Sequence, residues 1–215
     1  MNLKSFEGGF DKNLCYLIWC NKTKIGGLVD PSVKITPILD YINKNKIKLS
    51  KILITHTHHD HIFYLDDFLN IFSNIEVLCH EKHLKSFERK IIKLTDYEII
   101  TLGQEILIAL HTPGHHSDSI CYWNKKNKML FTGDTVFVGR TGRTIGAHSN
   151  IKDLYESVYK KILTIPHNTI IYPGHNYGYE KFITIKENIN YSDFFNCKSL
   201  KEFKYVMQRF EENRK

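Results

Sequence analysis

The 215-residue sequence has no apolar run approaching the roughly 20 residues a membrane span needs, so no membrane-spanning segment is expected. Its first residues, Met1 to Gly9, lack the charged-then-apolar architecture of an export signal, and a cytoplasmic location is the expectation. The five cysteines, Cys15, Cys20, Cys79, Cys121 and Cys197, are odd in number and form no CxxC pair. That excludes a disulfide scaffold, and each is expected to pack as a small apolar residue. No G-x-S-x-G elbow is present, so a serine nucleophile of that kind is absent. Internal repeats, low-complexity tracts and Pro/Gly/Ser-rich linkers are missing too, and one domain spanning 1–215 is expected. The net charge is +7, yet no block of five or six like charges occurs. A lysine-rich solvated surface explains it, and no nucleic-acid partner is expected.

Histidine, by contrast, is abundant. There are twelve, four of them in residues 56–61 and three in 111–116. Leu14–Cys20 and Ile25–Asp30 read as two strands around the turn at 21–24. Ile35, Ile38, Leu39 and Ile42 recur at helical spacing. Ile52–Thr55 reads as a buried strand leading directly into His56-Thr57-His58-His59-Asp60-His61. Further strands are expected at 75–79, 106–111, 119–123, 129–132 and 169–172. A helix is expected from about 151 to 163, capped by Asn150 or Ser149. The last helix begins at Ser199 with Glu202 completing a capping box, and carries an apolar stripe of Leu200, Phe203, Met207 and Phe210. Strands and helices alternate, so the class is α/β or α+β.

At a strand end, residues i and i+2 point to one side, so His56 and His58 can aim two imidazoles at one ion. Asp60 and His61 follow as the chain turns and can face a second. Imidazole and carboxylate suit zinc, iron and manganese, and the lack of cysteine argues against a purely structural zinc. Later strands end in the same manner, at Thr112-Pro-Gly-His115, Phe131-Thr-Gly-Asp134 and Tyr172-Pro-Gly-His175. His59 and His116, beside these residues, are expected to support them. His111 is expected to be structural, and His80, His83, His148 and His167 ordinary polar residues.

In this order and spacing, H-x-H-x-D-H, TPGH, FTGDT and YPGH resemble the metallo-β-lactamase superfamily, from the Asp30 strand to His175. The resemblance implies a four-layer αββα sandwich with metal at one edge of its sheets. It implies that His56, His58 and His115 hold one ion, that Asp60, His61 and His175 hold another, and that Asp134 bridges them. The ions would be two divalent metals, zinc foremost, with iron or manganese as alternatives.

The segment from Phe131 to Thr144 is similar to the loop of glyoxalase II and of persulfide dioxygenases, where a basic residue at the position of Arg143 contacts glutathione; Tyr177 matches both groups. The implied partner is a small thiol ester or glutathione conjugate. The implied reaction is thioester hydrolysis of the hydroxyacylglutathione type by a metal-bound hydroxide, with Asp60 and Asp134 catalytic. A mononuclear-iron glutathione persulfide dioxygenase is the alternative, and a metal-dependent RNase a further one. Two departures stand out. Only 40 residues follow His175, a short helical tail in place of the C-terminal helical domain of classical glyoxalase II. Ile62-Phe63 also adds bulk where the family often has small residues. A homodimer is the remaining expectation on assembly.

Overall fold

The computed structural model describes residues 1–83 and 91–214. Among them are two six-stranded sheets, each built in chain order. The first contains β1 (Asn2–Gly8), β2 (Asn13–Trp19), β3 (Ile25–Val29), β4 (Lys48–Leu53), β5 (Glu76–His80) and β6 (Ile92–Leu94). The second contains β7 (Ile99–Leu102), β8 (Glu105–His111), β9 (Ile120–Asn124), β10 (Met129–Gly133), β11 (Ile170–Pro173) and β12 (Ile183–Thr184). Helices α1 (Ile35–Asn45) and α2 (Leu65–Ile71) accompany the first sheet. Helices α3 (Ile151–Lys160), α4 (Ile185–Tyr191) and α5 (Leu200–Glu212) accompany the second.

Strand β2 shows why the layers number four. All seven of its residues are buried, so each face needs a partner. Leu14, Tyr16 and Ile18 join Tyr122 and Phe131 of the other sheet in the central core. Cys15, Leu17 and Trp19 alternate to the opposite face and meet Ile38, Ile42 and Phe68 of the helices. On the far side, Cys121 and Leu130 pack with Leu154, Val158, Phe203 and Met207. Helix, sheet, sheet, helix is the αββα order.

Several local expectations need correction. Helix α3 stops at Lys160, because Lys161 leaves helical geometry, and a short 3₁₀ turn covers Ile162–Thr164. Asn150 is its cap, accepting from the amides of Lys152 and Asp153. At α5 only half of the capping box forms. Ser199 accepts from the Glu202 amide, but the Glu202 carboxylate turns to the amide of Lys198. A complete box sits at α4 instead, between Thr184 and Glu187. Leu39 and Leu200 are only half-buried and stand outside the cores that their stripes were expected to join. Strand β1, the short β6, β7 and β12, and helices α2 and α4 carry periodicity too weak or too brief to read. All five cysteines are free and buried, as expected.

The two sheets are tied at one edge. Tyr122 of β9 donates to the Ile54 carbonyl at 2.7 Å, and Tyr16 of β2 donates to the Pro173 carbonyl at 2.6 Å. Each buried hydroxyl thus satisfies a carbonyl of the opposite sheet. The Ile120 amide donates to the Thr55 carbonyl, and the Leu14 amide to the Gly174 carbonyl. β4, β8, β10 and β11 end at this edge and β2 starts there.

Candidate metal centre

Each of those strand ends delivers one part of a single cluster. β4 runs out through Thr55 into His56 and the turn to His61. β8 leads to His115, β10 to Asp134 and β11 to His175. The His56 Nε2 and His115 Nε2 atoms lie 2.9 and 3.0 Å from His58 Nδ1. Beside this trio, His61 Nε2 lies 3.2 Å from His175 Nε2, and Asp60 Oδ2 lies 3.3 Å from His175 Nε2. Asp134 stands between the two groups. Its Oδ1 is 3.2 Å from His61 Nε2 and 3.5 Å from His175 Nε2, whereas its Oδ2 is 3.5 Å from His115 Nε2. Among the described residues, three sets of donor atoms lie close enough to share an ion: His56/His58/His115, Asp60/His61/His175 and His56/His61/Asp134. All seven residues singled out as ligands in the sequence are therefore brought together.

The outward-facing nitrogens explain why these rings aim as they do. His61 Nδ1 faces Asp30 Oδ2 at 2.9 Å, and His175 Nδ1 faces the Asp11 carbonyl at 2.7 Å. His115 Nδ1 faces the Arg143 carbonyl at 2.9 Å. His56 Nδ1 lies 3.2 Å from the Thr55 hydroxyl, which itself donates to Asp30 at 2.7 Å. An oxygen that can only accept requires the ring to donate from Nδ1, which leaves the Nε2 lone pair of a neutral imidazole pointing inward. Four lone pairs thus converge with two carboxylates. Asp134 Oδ1 is buried and has no hydrogen-bond partner among the described residues. Unpaired acceptors facing one another in a dry site repel unless a cation sits among them, so the donor set fits divalent metal.

Charge divides the cluster. Burial and the neighbouring His61 hold His56 well below its ordinary value; burial and His115 bring His58 down to about 4. Burial lowers His115 as well, against the pull of Asp134. Burial opposes charge on His61 and His175 too, but carboxylates override it. Asp134 and Asp30 raise His61, and Asp134 and Asp60 raise His175 to about 9. Asp134 is correspondingly held far below the usual carboxylate range by His61 and His175, despite its burial.

Close approach at this edge demands glycine at 174. A Cβ there would lie 2.4 Å from Asp134 Oδ1 and 2.7 Å from His61 Cε1. Gly133 meets a second demand. Its φ is +48°, and a Cβ would lie 2.4 Å from the Thr55 hydroxyl.

A cavity of about 310 Å³ opens onto the cluster, bounded by His58, Asp60, Asp134, Arg143, Ile145 and Tyr177 among others. Arg143 makes no ion pair among the described residues, and its carbonyl holds His115. The Tyr177 ring stacks on His175 at 4.7 Å between centroids, 3° from parallel, and its hydroxyl donates to Asp11 at 2.6 Å. Among the other histidines, His116 is held by Asp118 and packs against the His58 ring. His59 instead joins Phe10 and Phe63 at the surface. His111 donates to the Ser117 carbonyl and stacks on His80, a structural placement. Of the Ile62-Phe63 pair only Phe63 adds bulk outside; Ile62 is buried under the helices.

Sequence reasoning missed Asn13, Asp30, Asp11 and Asp118. Asn13 is fully buried, and its amide donates to Asp60 Oδ2 at 2.8 Å. Asp118 accepts from the Thr57 amide and hydroxyl. Asp30, at φ 52°, takes the Thr55 amide and hydroxyl besides His61. That uncommon backbone conformation, in a residue ending a strand, leaves no mark in the sequence beyond the aspartate itself.

Comparisons with known proteins agree with this geometry. The family profile for the metallo-beta-lactamase superfamily matches residues 8–175. A probable hydroxyacylglutathione hydrolase of Schizosaccharomyces pombe is 34% identical over 174 residues, 79% of this chain and 66% of that one. A probable polyketide biosynthesis zinc-dependent hydrolase of Bacillus velezensis is 34% identical over 77% of this chain and 74% of its own length. Among solved structures, ETHE1 from Myxococcus xanthus superposes with a TM-score of 0.87 at 26% identity, covering 100% of this chain and 92% of the other.

Proposed function

The chain belongs to the metallo-beta-lactamase superfamily, and on that premise we propose that it is a metal-dependent hydrolase of thioesters, acting on an acyl ester of glutathione or a related thiol. The observation carrying this reading is a cluster of five imidazoles and two carboxylates, of which His58, His115, His175 and both carboxylates border a cavity that also holds Arg143 and Tyr177. His56, His58 and His115 would hold one ion and Asp60, His61 and His175 the other, with Asp134 between. Two divalent cations, zinc foremost, would supply Lewis acidity and bring a water's pKa from 15.7 towards ~7.

The chain's own groups do the rest. Asp60 and Asp134 accept hydrogen bonds from the attacking water and fix its direction. Arg143 offers a fork matched to a substrate carboxylate. Tyr177, clamped between His175 and Asp11, walls the thiol side. As the carbonyl carbon gains a bond to the water oxygen it loses its bond to sulfur, and the departing thiolate takes the proton. A thiol with pKa near ~8.5 leaves readily, so no dedicated acid is required. The names of the hydrolase relatives support the substrate class.

A second reading rests on the His56/His61/Asp134 group, two imidazoles and one carboxylate, a set suited to a single iron(II) in an oxygenase. One experiment separates the two. The purified protein is assayed for bound metal, for S-lactoylglutathione cleavage and for O₂ uptake with glutathione persulfide. Two ions per chain with thioester cleavage is the expected result; one iron with O₂ uptake overturns it.

A further inference from the structure

The cavity beside the metal ligands has an apolar lip that hydrolysis itself does not use. Phe10 is 61% exposed and Ile145 69% exposed, and both line the cavity. Phe63, 44% exposed, backs Phe10 edge-on at 4.6 Å, and the His59 ring closes this group at 5.0 Å from Phe63. A lone exposed hydrophobe is ordinary, but apolar side chains gathered at the mouth of one cavity mark a binding surface.

Phe10 is also held in place. It sits at the tip between β1 and β2, where the Asn13 side-chain oxygen accepts from the amides of Phe10 and Asp11 at 3.1 and 3.3 Å. The same Asn13 side chain donates to Asp60. On the other side, the Asp11 carbonyl takes the His175 ring and the Asp11 carboxylate takes the Tyr177 hydroxyl. Gly9, at φ +71°, allows the bend, since a Cβ there would lie 2.6 Å from the Ser32 carbonyl oxygen. The tip is therefore pinned to the metal ligands, and the Phe10 ring is presented beside the cavity at a fixed place.

We propose that Phe10, Phe63 and Ile145 form a subsite for an apolar acyl group, so that the preferred substrates are thioesters of medium-length aliphatic or aromatic acids rather than of small hydroxy acids. This rests on the thioesterase reading above. Cleavage joins a water oxygen to the acyl carbon as the carbon–sulfur bond breaks, releasing the free acid and the thiol. Arg143 serves the polar thiol end and the lip serves the acyl end.

The test uses the metal-loaded protein with S-acetyl-, S-butyryl- and S-octanoylglutathione. It also uses binding of the uncleavable thioethers S-methyl- and S-octylglutathione, followed by calorimetry. Burial of one methylene corresponds to about a threefold to fourfold gain. The wild type should therefore show kcat/KM rising by about that factor per methylene over the first few, and S-octylglutathione should bind at least tenfold more tightly than S-methylglutathione. Phe10→Ser and Phe63→Ser, both at exposed positions, should flatten both series. Tyr97→Ser, exposed and outside the cavity, serves as the control and should flatten neither. Equal cleavage of all three esters, or a preference that survives both serine variants, overturns the subsite and leaves the thioesterase reading intact. No cleavage of any ester by fully loaded protein, with S-octylglutathione still bound preferentially through Phe10, overturns the thioesterase reading and keeps the apolar subsite.

Discussion

The Asp30 carboxylate faces His61 Nδ1 at 2.9 Å, and through that contact it fixes which His61 nitrogen looks into the metal cluster. Partners of this kind set ligand orientation and basicity. Asp30→Asn can still fill the space, but it no longer supplies a charged acceptor. Affinity for the second ion should fall by about 10- to 100-fold. Competition against a chromophoric chelator measures it; wild-type affinity would show that His61 needs no such partner.

Asp134 separates the two groups of donors, with one oxygen towards His61 and the other towards His115. Asp134→Ala should leave less than the wild-type complement of metal and abolish turnover, whichever reaction the centre performs. Elemental analysis and the S-lactoylglutathione assay are the measurements. Retained turnover would refute the placement of Asp134 as a ligand.

The pH dependence follows from His175. In the metal-free protein its value stands at about 9, above the ordinary 6.5, because Asp134 and Asp60 outweigh burial. A raised value means that the folded state binds the proton more tightly than the unfolded chain does. The stabilisation is thus fully present below about 6.5 and is lost as pH rises through about 9. Zinc competes for the same nitrogen and displaces the proton. The Tm of metal-free protein should fall between pH 6.5 and 9.5, and the gain in Tm on adding zinc should grow over that interval. A zinc effect that shrinks with rising pH would contradict this.

Gly174→Ala would bring a Cβ to 2.4 Å from Asp134 Oδ1. Relief requires movement of the aspartate, the His61 ring or the backbone that pairs with β2. A loss of about 1–3 kcal/mol is expected, with weakened metal binding. Denaturant midpoints and metal content report both. Unchanged values would mean that the edge yields more easily than its packing suggests.

Phe203 tests whether the tail belongs to the fold. It is fully buried on α5 and meets the rings of Tyr155 and Phe194 at 5.7 and 6.4 Å. Phe203→Ala should cost about 3–5 kcal/mol. A chemical denaturation curve would show it, and a near-neutral effect would mean that α5 contributes little.

The set of candidate donors was legible because metal chemistry restricts residue type. Only a few side chains can donate to zinc or iron, and H-x-H-x-D-H places them where a strand's alternation and the following turn must put them. The ends of β8, β10 and β11 repeat the signal with a glycine turn before each donor. The α/β or α+β class was equally readable from alternating strands and helices, whereas the four-layer order came from the resemblance and is explained by β2, buried on both faces. Strand β1 escaped detection for the opposite reason. In Asn2–Gly8 apolar and polar residues do not alternate, and the strand is held by backbone bonds to β2 that any residue could make.

What the sequence by itself determined, then, was the inventory of donors and the edge at which they gather. What tertiary structure decided was their aim. His175 takes its orientation from the carbonyl of Asp11, 164 residues away, and His115 takes its own from the carbonyl of Arg143. A carbonyl belongs to every residue, so no pattern of side chains announces which one will cap an imidazole. The same holds for Asn13, whose single amide ties the Phe10 tip to Asp60. Folding brings these distant groups within 3 Å or so of one another, and only there does a row of histidines become a centre with an inside, an outside and an apolar lip.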